Sequence, residues 1–190
     1  MCRLAQLYRH GGYYFDNDIA PLFDLRRIID ADTTFVTALT TTAFPQNPRG
    51  FFQAFLGAAP GHPVLDVALR RHLRWYDAKA RRDAAEIRRV TRGNTRPNVG
   101  TVLLRDAFLE WAGGSALAEA EAGGRVSHGS RHASQLLFEA PRSSLGAAYN
   151  ASRLRRASPL CAFVVADRRS RRVGLISRVF DQNAGVSCLR

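Results

Sequence analysis

The length, composition and charge of this chain exclude several classes of protein. With 190 residues, 46% of them hydrophobic, it can bury one sizeable core and does not have the composition of a disordered segment. Its longest apolar runs fall short of the roughly 18 consecutive residues that a membrane-spanning helix needs, and no signal segment opens it. We therefore expect the chain, as given, to be soluble.

The net charge of +12 raises the question of a nucleic-acid partner. Lys79 is the only lysine, so arginine supplies nearly all of the positive charge. The arginines are scattered along the chain, and no aromatic residues interleave with them to form a surface on which bases could stack. We predict a solvated basic face and no nucleic-acid partner.

Short helical and extended patterns alternate in the first third of the chain. Apolar residues at helical spacing over 4–8 stop at Gly11-Gly12, which predicts a helix with a glycine stop. The aromatic run from Tyr13 to Phe15 predicts a short strand. The β-branched segment 33–41 predicts a second strand, whereas the apolar run 51–56 fits a strand or a helix.

The middle of the chain is mainly helical by pattern. Residues 60–63, Pro-Gly-His-Pro, predict a turn followed by a helix start, and an apolar stripe over 64–76 predicts an amphipathic helix. We expect this helix to continue through the charged stretch 77–92. A further helix, capped by Asn98, is predicted as far as Trp111, and residues 116–122 fit a short helix or a linker.

The final third reads as β-rich. Residues 127–134 form a polar, glycine-containing stretch that predicts a loop, and 135–139 predict a short strand. The apolar segments 160–166 and 172–180 predict a hairpin across an arginine-rich turn.

Asp16 and Asp18 follow the first predicted strand and are separated by one residue. On an extended strand, residues i and i+2 point to the same side, so both carboxylates could bind one hard divalent cation. A nucleotide diphosphate could supply further oxygens, and the cation would then neutralise the leaving phosphate. The alternative is an ordinary strand that runs into a turn, because aspartate and asparagine are common turn residues. A helix–loop–helix calcium site is excluded, since Pro21 and Arg27 stand where that loop needs glycine and glutamate.

The residues around this pair resemble a known family. The pattern "R…L…GG-x-Y-x-D-x-D" is similar to that of glycosyltransferases with a DXD sugar-binding motif, in particular family 32, which includes α-mannosyltransferases of the Golgi and capsular-polysaccharide sugar transferases. In this chain the pattern is formed by Arg3, Leu7, Gly11, Gly12, Tyr14, Asp16 and Asp18.

Two downstream segments extend the resemblance to roughly residues 3–110. Residues 51–73 resemble the family's apolar run followed by Pro-Gly-His-Pro and a helix. Thr95-Arg96-Pro97 stands where the family commonly has Thr-Gly-Pro, so Arg96 departs from the pattern, as does Gln53, where the family often has asparagine.

The resemblance implies an α/β fold with a GT-A core, a Rossmann-like sheet with the DXD motif at a strand end. We expect this core over residues 1–115, without the family's first nucleotide-binding segment, which would precede Met1 in an amino-terminally longer protein. Residues 116–190 are expected to form a linker and a small β-rich appendage.

The resemblance also implies a retaining, metal-dependent hexosyltransferase that uses a nucleotide-sugar donor and a glycan or other hydroxyl acceptor, with Mn²⁺ or Mg²⁺ as cofactor. Asp18 would be the main metal ligand, and Asp16 would contact the ribose or the donor sugar and share the metal; both are the predicted catalytic residues. Gly11 and Gly12 would allow close backbone approach to the substrate, Tyr14 would pack beneath the site, and Arg3 completes the motif. These four residues are the substrate-binding residues that the resemblance implies.

Histidines are the remaining candidates. His62 is predicted to contact substrate, with a local hydrogen bond at the helix start as the alternative. Because similar folds bring a late histidine to the metal, His128 and His132 are candidates for that role.

The alternative function belongs to another class of protein. The chain would then be a catalytically inactive fragment or interaction domain that retains the DXD motif by descent. For a full-length eukaryotic enzyme we expect the Golgi lumen, with a membrane anchor in the missing amino-terminal part.

Overall fold

The computed structural model describes residues 2–22, 24–40, 50–91, 100–141, 145, 163–177, 180–181 and 186–187. These residues form a mixed α/β structure. The helices are α1 (Cys2–His10), α2 (Pro63–Ala80), α3 (Ala84–Val90), α4 (Thr101–Ala112) and α5 (Gly114–Gly123). The strands are β1 (Gly12–Phe15), β2 (Ala20–Pro21), β3 (Phe35–Thr40), β4 (Phe51–Ala58), β5 (Arg125–His128), β6 (His132–Pro141), β7 (Phe163–Asp167), β8 (Arg172–Ser177), β9 (Phe180–Asp181) and β10 (Val186–Ser187).

Eight strands form one curled, mixed sheet. Its order is β1-β4-β3-β6-β7-β8-β2, with β5 paired to β6 outside this path. Among these strands β3 and β6 are parallel, and every other pairing is antiparallel. The predicted α/β class is therefore confirmed, and strands from beyond residue 115 belong to the same sheet as β1. The predicted domain boundary at residue 115 falls inside α5.

The sheet is covered on both faces. On one face, which we call the helix face, Phe35 and Leu39 of β3 pack with apolar side chains of α1, α2, α4 and α5. On the other face Val36 and Ala38 of the same strand pack against the segment that follows β1, which contributes Ile19, Ile28 and Ile29. Burial on both faces explains why β3 reads as a nearly continuous apolar run.

Local sequence signals account for most element boundaries. The hairpin β7–β8, the glycine stop after α1 and the start of α2 at Pro63 are confirmed. The ambiguous run 51–56 is a strand, and pairing with β1 and β3 extends it to Ala58. Asn98 and Thr95-Arg96-Pro97 lie outside the described residues.

Two predictions from local pattern were wrong. The helix expected through 77–92 is interrupted, because Asp83 accepts a hydrogen bond from the Glu86 amide at 2.9 Å and so caps a separate helix, α3. The loop expected over 127–134 is a hairpin in which β5 pairs with β6 across a turn. Pairing of β6 with β3 on its other side stabilises this extended conformation.

None of the helices described here is both long and apolar enough to span a bilayer.

Candidate functional site

The carboxylate of Asp16 lies directly after β1 and is held by two neighbours. Arg3 Nη1 lies 3.0 Å from Asp16 Oδ1, and the Tyr14 hydroxyl donates a hydrogen bond of 2.5 Å to the same oxygen. The Arg3 guanidinium also lies over the Tyr14 ring, 4.6 Å from its centroid. Three residues of the predicted motif are thus in mutual contact, and both contacts to Asp16 use Oδ1.

Two local features bring these side chains together. Tyr14 and Asp16 are two residues apart in extended chain, so their side chains point to the same side of the sheet. Arg3 reaches this point because α1 turns back along β1: its carboxyl end lies at the Gly61 amide, which donates to the Tyr8 carbonyl at 2.7 Å. The hydrogen bond to Asp16, followed by burial, raises the pKa of Tyr14 above 10.0, so the phenol stays protonated as a donor.

Asp18 does not follow the geometry expected from sequence. β1 ends at Phe15, and the Ile19 amide donates to the Asp16 carbonyl at 3.1 Å, so both aspartates belong to a turn. The rule that residues i and i+2 share one side of a strand therefore does not apply to this pair. Asp18 is partly buried and close enough to Tyr14 to raise the pKa of the phenol electrostatically.

Gly11 and Gly12 lie at the opposite end of β1 from Asp16. Gly11 has φ +67° and approaches Pro60, where an added Cβ would lie 2.6 Å from Pro60 Cδ. Gly12 has φ +96° and faces open space. Gly11 therefore approaches the turn before α2 closely, whereas the approach to substrate predicted for Gly11 and Gly12 stays a prediction.

Gly11→Ala is expected to lower the free energy of unfolding by about 2 kcal/mol, because left-handed strain and overpacking against Pro60 add. Gly12→Ala is the matched control, because it introduces the backbone strain without a new contact. It is expected to lower the free energy of unfolding by about 1 kcal/mol. Urea unfolding of both variants measures the difference. Equal losses would show that the contact with Pro60 contributes nothing.

The amino-terminal end of α4 lies next to the Asp16 site. Arg3 Nη1 donates to the Gln53 carbonyl at 3.1 Å, and the Gln53 side chain extends to Gly100, where an added Cβ would lie 2.9 Å from Oε1. Gln53 Nε2 is buried and has no hydrogen-bond partner among the described residues. No described side chain caps α4 at Gly100. Pattern reasoning did not predict this neighbourhood, because it depends on packing between β4 and α4.

His62 lies away from Asp16. The Asp16 amide bonds to the Ala54 carbonyl, whereas His62 follows Ala58, so about four residues of β4, a rise of about 13 Å, separate the two positions. His62 is 1% exposed and caps α2, since its Nδ1 accepts a hydrogen bond from the Val64 amide at 3.3 Å. The substrate contact predicted for His62 is thus not supported by its position, and the alternative local role is the observed one.

His128 and His132 join His62 and not the aspartates. The rings of His62 and His132 lie 5.0 Å apart, and His128 packs on Trp111 at 4.2 Å between ring centroids. Burial, then the other two histidines, lowers the pKa of His62 to about 3. Burial also lowers the pKa of His128. The expectation that a late histidine reaches the aspartates was wrong, because strand pairing places both residues at the far end of β4.

Asp16 and Asp18 are the metal ligands that the sequence predicts in this region. Within the described ranges no three histidine, cysteine, aspartate or glutamate side chains are arranged to hold a metal ion. A cation at Asp16 and Asp18 would therefore need further oxygens from a bound ligand, and Asp16 would offer Oδ2, because Arg3 and Tyr14 occupy Oδ1.

Comparison with known proteins identified no relative: no protein-family model matches the chain, and no curated protein is significantly similar to it.

Proposed function

We propose that this chain is a metal-dependent, retaining glycosyltransferase core that binds a nucleotide-sugar donor at Asp16 and Asp18 and transfers its hexose to a hydroxyl acceptor. The observation that carries the proposal is the contact between Arg3, Tyr14 and Asp16. Tyr14 and Asp16 are two positions apart in the sequence, but Arg3 is thirteen positions away from Asp16. A motif match by chance would not require these three side chains to meet.

The fold that we propose is a partial GT-A core. The aspartates stand just beyond the carboxyl end of β1, which is where open α/β sheets place their ligands. The sheet contains one parallel pair among its described strands, so the proposal rests on this strand-end position and not on a parallel Rossmann-like sheet.

The residues around Asp16 suit the charged part of such a donor. Arg3 and Tyr14 orient the Asp16 carboxylate, while Asp18, with no ion pair among the described residues, is available to a cation. Gln53 Nε2 and the amides at the start of α4 are donors that could bind phosphate oxygens. A bound Mn²⁺ or Mg²⁺ would supply charge neutralisation for the departing diphosphate.

Asp18→Asn tests this proposal. In calorimetric titrations with UDP and GDP in the presence of Mn²⁺, the unmodified chain is expected to bind, and the variant to bind about tenfold more weakly or worse, a loss of about 1.4 kcal/mol. The reason is that the amide keeps the size of the carboxylate but loses the charge that attracts the cation. EDTA is expected to abolish binding by the unmodified chain.

Asp77→Asn is the matched control, because it removes an exposed aspartate of α2 without changing Asp16 or Asp18. Its affinity should equal that of the unmodified chain. Mn²⁺-dependent binding that survives in Asp18→Asn would contradict the proposed metal ligand.

One observation favours the second candidate, an inactive fragment or interaction domain. The Asp16 carboxylate is already neutralised by Arg3, which is sufficient to explain its presence as an internal ion pair. If the unmodified chain shows no heat of binding with any nucleotide diphosphate in Mn²⁺, this second candidate is the better description.

A further inference from the structure

Three imidazole rings from separate parts of the chain surround Trp111 at the carboxyl-terminal end of α4. The Trp111 ring centroid lies 5.1 Å from that of His62, 4.2 Å from that of His128 and 5.7 Å from that of His132. We call these four side chains the imidazole cluster. It joins the start of α2, the end of α4 and the β5–β6 hairpin, and Phe35 and Phe108 line its apolar side.

Each histidine of the cluster has one buried ring nitrogen without a hydrogen-bond partner among the described residues: Nε2 of His62, Nε2 of His128 and Nδ1 of His132. In His62 the other nitrogen accepts from the Val64 amide, so the neutral ring carries its proton on the unpartnered Nε2. A second proton on this ring would have to displace the bond to Val64. The bond to Val64 therefore favours the neutral form of His62.

The surroundings oppose positive charge in this cluster. Burial, followed by the charges of the other two histidines, lowers the pKa of His62. At His128 the Glu119 carboxylate of α5 opposes these effects and raises the pKa. Glu119 does not act on His62, which is the more buried of the two rings.

We propose that the imidazole cluster is an acid-sensitive latch, which holds β5 and the turn that joins it to β6 against α2 and α4 when His62 and His128 are neutral, and releases β5 and this turn when these two rings bind protons. A histidine whose pKa is lower in the folded protein contributes stability that is fully present above its ordinary pKa of 6.5. This stability is lost as the pH falls from 6.5 towards about 3. Each pH unit in this window favours the open form about tenfold for each proton bound on opening.

The fluorescence of Trp111 measures whether the latch is closed or open, because the cluster surrounds this ring. In a Trp75→Phe chain, Trp111 is the single tryptophan, because the sequence has two. Between pH 7.5 and 4 we expect its emission to shift reversibly to longer wavelength as the apolar pocket opens, at a pH where far-UV circular dichroism still shows folded helices. Hydrogen exchange, corrected for its intrinsic pH dependence, should show loss of protection in β5 before β3, β4 and β6, because β6 stays paired with β3 when β5 opens.

Variants identify the groups that titrate. His62→Asn combined with His128→Gln keeps a capping side chain before α2 and removes the two imidazoles whose pKa burial lowers. It is expected to move the Trp111 transition at least one pH unit lower. His10→Gln, which changes an exposed histidine of α1, should leave the transition in place. If the double variant does not fold, the exchange measurement on the unmodified chain still decides the question.

Three results would overturn the latch. The first is a Trp111 emission that stays constant to pH 4, and the second is a Trp111 transition that coincides with global loss of helix. The third is micromolar Zn²⁺ affinity that keeps the rings together at pH 5, since the cluster would then be a metal site.

Discussion

Phe108→Ala is expected to lower the free energy of unfolding by about 3–5 kcal/mol, because it removes a fully buried ring from the centre of the helix face. The Phe108 ring centroid lies 6.1 Å from that of Phe35, 5.5 Å from that of Phe51 and 6.0 Å from that of Trp111. The contacts with Phe35 and Phe51 pack α4 against β3 and β4. Urea unfolding followed by far-UV circular dichroism measures the loss as a lower midpoint.

Leu73→Ala is the control for this substitution. Leu73 lies on α2 and is 52% exposed, so its truncation leaves no cavity, and we expect a change within about 0.5 kcal/mol. A similar loss in both variants would contradict the position of Phe108 at the centre of the core.

Arg71→Met is expected to lower the free energy of unfolding by about 3 kcal/mol, because Arg71 forms an ion pair that links α2 to α4. Its Nη2 lies 2.7 Å from Glu110 Oε2, its Nη1 lies 3.9 Å from Asp106 Oδ2, and Nη1 also donates to the Val90 carbonyl at 3.2 Å. The Arg71 side chain is 12% exposed and that of Asp106 is 8% exposed, so water screens the attraction between these two groups only weakly. The measurement is again urea unfolding.

Arg70→Met provides the comparison on the same helix. Arg70 pairs with Asp66 one turn away at 2.7 Å, but its side chain is 58% exposed, so water screens the pair. We expect a cost of about 0.5 kcal/mol or less. If Arg70→Met destabilised the protein as much as Arg71→Met, the loss at Arg71 could not be attributed to a buried ion pair.

Elements that depend on neighbouring residues were predicted well. Pro63 and the apolar stripe that follows it define α2, Gly11 ends α1, and the β7–β8 hairpin follows from two apolar runs around a turn. Propensity and hydrophobic spacing act over a few residues, so they can be read without knowledge of the fold. The same reasoning failed at 127–134, where polar composition indicated a loop but β3 and β5 both pair with β6.

The candidate site was predicted in part. Arg3, Tyr14 and Asp16 were selected by a motif, and their contact depends on α1 turning back along β1. The geometry predicted for Asp18 was wrong, because the Asp16 amide makes the last bond to β4 and a turn begins at Asp16, so Asp18 is not on the strand. Whether the pair binds a cation stays a prediction.

The sequence by itself determined most helix and strand segments and the aspartate pair, because these features depend on residue type and short spacing. Only the tertiary structure decided which end of β4 each candidate residue occupies. His62, Trp111, His128 and His132 share no local pattern, and they meet because β6 lies beside β3 while α2 and α4 cover the same face. Contacts between distant segments are selected by burial across the whole sheet, and local periodicity carries no information about that selection.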